Sequence, residues 1–129
     1  MSQTDLCWLP ATAMAAAIRA RQLSPVELVD ALIDRIHQLN PTLNAYCTLL
    51  EDAARQAARA AEAAVLRGDD LGLLHGVPIS IKELLFTSGV RTMRGSRIYE
   101  QFVPDQDVPA VAKLKASSAI SICPSVPTT

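Results

Sequence analysis

The sequence predicts an α/β fold with helices packed on a partial open sheet, and three observations carry that expectation. Amphipathic stretches of helical period, residues 24–40 and 52–67, alternate with short β-branched or alternating runs at 43–50, 77–82 and 119–122, the order expected of strands joined by helical crossovers. The run at 77–82, VPISIK, follows a glycine-punctuated loop (Gly72, Gly76) and ends on a lysine, which reads as a buried strand carrying a cation at its far end. At 129 residues the chain has the size of one domain and can bury a core of its own.

Taken in order, Thr12 is placed to cap a helix over 13–21, with Met14, Ala17 and Ile18 on one stripe. Ser24-Pro25-Val26-Glu27 is a capping box with proline at the first helical position, and Leu23 and Leu28 stand at staple spacing. The helix that follows, 25–39, carries Val29, Leu32, Ile33 and Ile36 on one face and is expected to stop at Asn40-Pro41. Residues 43–50 alternate Leu43, Ala45, Cys47 and Leu49 against Asn44, Tyr46, Thr48 and Leu50, which predicts a half-buried strand. The alanine-rich run 52–67, with acids early, Arg67 late and Gly68 after it, predicts a helix.

In the strand at 77–82, Gly76 supplies a backbone conformation closed to other residues and Pro78 suits the strand's start. Ser80 and Lys82 then share one face and Ile79 and Ile81 the other. Gly89 and Gly95 predict irregular structure over 84–97. Asp107 is placed to cap a helix over 108–117, and a strand at 119–122 is expected to be broken by the prolines at 124 and 127. So few strands would leave sheet edges bare, which predicts self-association.

Composition excludes several functions. The chain is 50% hydrophobic but 4% aromatic, so its apolar content comes in small pieces suited to helix packing. Twelve basic and thirteen acidic residues are mixed along it, for a net charge of -1, and no nucleic-acid partner is expected. Cys7, Cys47 and Cys123 lie far apart with no metal-binding spacing, which argues against a disulfide framework and a zinc site and favours a reducing cytoplasm; no cofactor is expected. Cys47 and Cys123 are read as small hydrophobes. No basic, apolar leader and no apolar run of membrane-spanning length occurs, so neither a signal peptide nor a membrane partner is expected.

The stretch LGLLHGVPISIKELLFTSGVRTMRGS, with SPVELVDALIDRIHQLNPTLNAY before it and PDQDVPAVAKLKAS after it, resembles the amino-terminal part of the amidase signature family of amide hydrolases. The likeness runs from about Thr12 to Ile122, and HGVPISIKE with Gly95-Ser96 downstream is its most specific piece. It implies a single incomplete amidase-type domain over 1–129, the amino-terminal fragment of that fold, and a small-molecule amide as substrate. Lys82 matches the lysine of the family's Ser-cisSer-Lys triad, and Glu83 stands where members carry an acidic residue. The glycine- and serine-rich motif that supplies both triad serines has no counterpart here. Ser118 replaces a glycine common at that helix end, and residues 123–129 form a tail atypical of the pattern.

Amide hydrolysis needs a nucleophile, a base that takes its proton and returns it to the leaving amine, and donors for the oxyanion. Lysine can be that base once desolvation removes its charge, an option closed to arginine. With both serines missing, the chain alone is expected to be inactive, and Lys82 to be at least partly exposed with Glu83 or a loop carbonyl as its partner. From position alone Lys82 reads as a solvated strand end. Ser80 and Lys82 stand too close on one strand face to admit a carbonyl between them, His75 reads as a hydrogen-bonded loop former rather than a general base, and Gly95-Ser96 as a supporting turn. The other function class is a noncatalytic module that presents the helices at 24–40 and 52–67 to another chain.

Overall fold

Ser24 starts the longest helix as its sequence requires: its Oγ accepts the backbone N–H groups of Val26 at 3.0 Å and Glu27 at 3.3 Å, with Pro25 at the first helical position. The same hydroxyl donates to Glu62 at 2.6 Å, tying the cap to the next helix. The computed structural model describes residues 3–125, with side chains over 5–122. Its elements are α1 (Gln3–Leu6), α2 (Ala11–Arg19), α3 (Pro25–Leu43), α4 (Glu51–Arg67), β1 (Pro78–Lys82), a 3₁₀ turn (Arg97–Tyr99), α5 (Pro109–Ala116) and β2 (Ile120–Ser125). Helix α2 starts one residue before Thr12, behind Pro10, and no side chain caps it.

Helix α3 is buried on two sides. Leu28 and Ala31 pack with Ile18, Leu23, Val65 and Val77 in one cluster, while Val29, Ile33 and Ile36 meet Ala54, Ala58, Ala61, Ile120 and Ile122 in another. The alanines of α4 are small enough to let two backbones approach, so an alanine-rich sequence becomes a tight helix–helix seam. Fully burying a side chain such as Leu28 contributes about 1.5–3 kcal/mol, and α3 carries several.

The expected end of α3 at Asn40-Pro41 is corrected: the helix runs through Pro41 to Leu43 and closes on Asn44, a left-handed residue (φ 50°) whose N–H reaches the Asn40 carbonyl at 2.7 Å. Pro41 forfeits one intrahelical bond, that to the His37 carbonyl, on an exposed stretch of the helix where water can take its place. The strand expected over 43–50 is corrected as well. Asn40 Oδ1 accepts the Tyr46 N–H at 2.9 Å and its Nδ2 donates to the Tyr46 carbonyl at 3.1 Å, so a side-chain amide occupies the backbone groups of Tyr46 and the segment is reduced to an isolated β-bridge at that residue. The segment still borders the sheet, since Leu50 N–H donates to the Ile122 carbonyl at 2.8 Å.

β1 pairs in parallel with β2, Pro78 opposite Ile120 and Lys82 opposite Ser125, with an irregularity between Ile79 and Ser80. The break expected after 122 does not occur: the β2 backbone continues through Pro124, which an edge strand tolerates. The side chain of Cys123 and residues 126–129 of the tail lie outside the described residues. The loop before β1 is fastened to the end of α5, Leu74 N–H donating to Ser117 O and Gly76 N–H to Ser118 O, both at 3.0 Å. Gly72 is required there, because a Cβ would stand 2.5 Å from the Ser117 carbonyl oxygen. Gly76 (φ 75°) is left-handed, and Ser118 (φ 63°) adopts the same region at a position where a side chain is strained.

Between the two strands the chain makes an irregular excursion, residues 83–108, held by backbone bonds from Gly89 to Pro104 O, Thr92 to Phe102 O and Val108 to Phe86 O at 2.9 to 3.0 Å. Phe86, Tyr99 and Phe102 meet at centroid separations of 5.3 and 5.9 Å, and the Arg94 guanidinium lies 5.5 Å from the Phe86 and Tyr99 rings. The expectation that Asp107 caps α5 is corrected. Val108 takes the cap position without a side-chain bond, and Asp107 Oδ1 instead accepts the Ser88 N–H at 2.7 Å and Lys115 Nζ at 2.8 Å. The Lys115 ammonium, then the Ser88 N–H, hold its carboxyl below the usual range.

Candidate functional site

Lys82 is the last residue of β1 and is exposed. Period-two alternation places Ser80, also exposed, on its face, while Ile81 turns inward to 3% exposure and Ile79 is half-buried. The predicted division into an apolar and a polar face therefore holds at the end that matters. No described residue forms an ion pair with Lys82. Glu83, expected beside it, turns the other way: it is buried to 2%, and Oε1 accepts the backbone N–H of Met93. The strand's last carbonyl, that of Lys82, accepts the Leu85 N–H at 2.9 Å, which starts the turn into the excursion.

Tyr46 belongs to this face although periodicity puts it on a strand of its own. Its hydroxyl lies 3.2 Å from Ser80 Oγ, with either atom able to donate. The residue is fixed there by the Asn40 amide, and an asparagine six positions upstream is the only sequence signal that could have found it. Beside Tyr46 and Ser80 an apolar groove of about 400 Å³ runs between α3 and β1, lined among others by Leu32, Ile36, Leu43, Ile79 and Ile122; Lys82 is not among its walls.

The remaining candidates separate by burial. His75 is 8% exposed and its Nε2 lies 2.9 Å from the Ala61 carbonyl oxygen; a carbonyl only accepts, so the ring donates and is a loop-to-helix fastener. Gly95 and Ser96 form a turn, Ser96 N–H reaching Met93 O at 3.0 Å and Ser96 Oγ accepting the Ile98 N–H at 3.3 Å to start the 3₁₀ turn. Burial raises the pKa values of the Cys7 and Cys47 thiols, and Cys7 Sγ donates to the Ala31 carbonyl at 3.8 Å. The Glu83 carboxylate adds to the effect at Cys47, and Arg91 opposes it. Among the described residues no cluster of His, Cys, Asp and Glu could hold a metal ion, and no helix is long and apolar enough to cross a membrane.

What the face offers is one amine and two hydroxyls, with the carboxylate withdrawn behind it. Comparison with known proteins gives this arrangement a context. The model of the family described as Amidase matches residues 27–126. The chain is 42% identical over 116 residues to a glutamyl-tRNA(Gln) amidotransferase subunit of Bdellovibrio bacteriovorus, covering 90% of itself and 24% of that protein. Among solved structures it superposes on a bacterial aryl acylamidase of the amidase signature family with a TM-score of 0.84 and 26% identity, covering 92% of this chain and 25% of that one. The peptide amidase of Stenotrophomonas maltophilia gives a TM-score of 0.83 and 26% identity, with coverages of 92% and 24%. The chain thus spans about a quarter of the length of the curated relatives it matches.

Proposed function

Because the chain belongs to the amidase family, we propose that it carries the lysine of an amide hydrolase's Ser-cisSer-Lys triad and that Lys82 is that lysine. The observation that carries this reading is the placement of Lys82 at the end of β1, on the polar face and inside the matched region. In the reaction, neutral Lys82 takes a proton from the bridging cis-serine, which takes one from the nucleophilic serine as its oxygen attacks the amide carbon. The proton returns to the amine as the C–N bond breaks, and water then releases the acyl group. The sequence has no serine-rich motif for these two hydroxyls, so they come from residues outside it; the family points to a small-molecule amide as substrate, and a cytoplasmic setting suits the thiols of Cys7 and Cys47. Exposed Leu84, Leu85, Ile98 and Val103 favour self-association of the isolated chain.

The test is an assay of the purified chain on aryl and alkyl amides, and of the same chain fused to the remaining three quarters of a family domain, each with a Lys82→Ala control. The chain alone should show no turnover above its control. In the fusion Lys82→Ala should cost about 10³-fold or more, as loss of one member of a catalytic unit does. Lys82-dependent turnover by the isolated chain, or a fusion indifferent to the substitution, would overturn the assignment.

A further inference from the structure

Resting on the reading of Lys82 above, we propose that Glu83 is a positioning residue for that lysine: its buried carboxylate clamps the 93–96 turn beneath the end of β1 and so fixes the direction in which the strand ends. Among the described residues Glu83 is one of the four largest fully buried side chains, with Ile18, Leu28 and Ile33. A carboxylate is costly to bury, and a leucine of similar size would fill the space without that cost. What a leucine cannot do is accept an N–H, and Oε1 accepts that of Met93. The turn it grips has two consecutive left-handed residues, Arg94 (φ 55°) and Gly95 (φ 72°), closed by the Ser96 N–H on Met93 O at 3.0 Å.

At its far end the excursion is held by Asp107 on Lys115 and by backbone bonds; next to β1 few buried groups hold it. The buried aliphatic core includes no residue from 83–108, and the buried side chains there are Pro104 and the polar Glu83, Thr87 and Thr92. Glu83 Oε2 and Thr87 Oγ1 are both buried with no hydrogen-bond partner, so the single bond to Met93 is what this carboxylate contributes. Glu83 also sits between two turns, the one closed by Leu85 N–H on Lys82 O and the one at 93–96. Release of the clamp leaves the strand's last residue free to rotate, and that residue is Lys82.

Direction can be read without turnover. The chain has three lysines, Lys82, Lys113 and Lys115, so limited acetylation of the native full-length chain with an N-hydroxysuccinimide ester, quantified by peptide mass spectrometry, reports Lys82 against two internal standards. Glu83→Ala should change the Lys82 ratio several-fold and remove the hydrogen-exchange protection of the Met93 amide, while Glu83→Gln, which keeps the acceptor, leaves both as in the unsubstituted chain. Where the alanine variant does not fold by circular dichroism, Glu83→Asp replaces it with the same expected shift, since the shorter side chain falls short of Met93. A folded variant that loses Met93 protection yet keeps the Lys82 ratio overturns the proposal, and so does a glutamine variant that shifts as far as alanine. Neither result depends on Lys82 being a catalytic base, so the triad assignment stands or falls separately.

Discussion

The helical body and the excursion at 83–108 are built on opposite principles. In the body, α3 buries aliphatic side chains on two sides, Leu28, Val29 and Ile33 all at 0% exposure, and its two clusters take in residues of α2, α4 and β2 and Val77 just before β1. In the excursion the buried side chains are a carboxylate, two threonines and one proline, the aromatic trio is partly open to solvent, and backbone bonds between 86–92 and 102–108 do the holding. Non-directional burial tolerates exchange of one aliphatic residue for another; directional bonding depends on particular atoms. The face bearing Lys82 lies where the two regimes join.

The sharpest way to break that contrast is to damage each side once. Leu28→Ala should lower global stability by about 2–5 kcal/mol, seen as a shifted denaturant midpoint for every probe. Phe102→Leu should instead raise amide exchange at Thr92 and Gly89 while the unfolding of α3 stays in place. A Phe102 variant that shifts the global midpoint as far as Leu28→Ala would mean that the two regions form one cooperative unit.

The next effects fall on the junction where the loop before β1 meets the end of α5. Gly72→Ala should cost about 1–3 kcal/mol, because its new methyl meets the backbone of Ser117 rather than a movable side chain. Ser118→Gly should act in the opposite sense, by about 1 kcal/mol, since it relieves a left-handed residue that carries a side chain. Thermal unfolding of the two variants measures both, and a Ser118→Gly chain no more stable than the parent would show that its hydroxyl compensates for the strain.

The smallest effect is expected at the Asp107 latch. Its carboxyl pKa is lowered by Lys115 and the Ser88 N–H, so its stabilising contribution is complete above the ordinary carboxylate value and is lost as pH falls through the lower folded value, below about 4. Asp107→Asn should be slightly less stable than the parent at neutral pH and should lack this acid-side loss. Exchange of the Ser88 amide across that window is the measurement, and parallel profiles for the two chains would remove Asp107 from the account.

Legibility from sequence follows the same division. Ser24, Pro25 and the stripe of α3 are readable because a cap and a period are local, and the pairing of the VPISIK run is readable from its β-branched residues and punctuation. The failures come from side chains that bond to distant backbone. Asn40 takes both backbone groups of Tyr46, so a run alternating like a strand is not one. Asp107 has the sequence position of a cap and is claimed by Ser88 across the excursion. Glu83 stands next to Lys82 in the chain and is buried against Met93. A polar residue's preference for one partner over another is decided by what the fold brings within reach, and no period or propensity encodes that.

The parallel pairing of Pro78 with Ile120 also sets an order of assembly. Helices α3 and α4 are neighbours in sequence and can dock as soon as both exist, whereas β1 must wait until the whole excursion and α5 have been made before its partner arrives. Closing so long a loop precedes any reward from the sheet. On synthesis, the helical pair can therefore dock before the sheet has both its strands, and the lysine-bearing face is among the last parts of the chain to be completed.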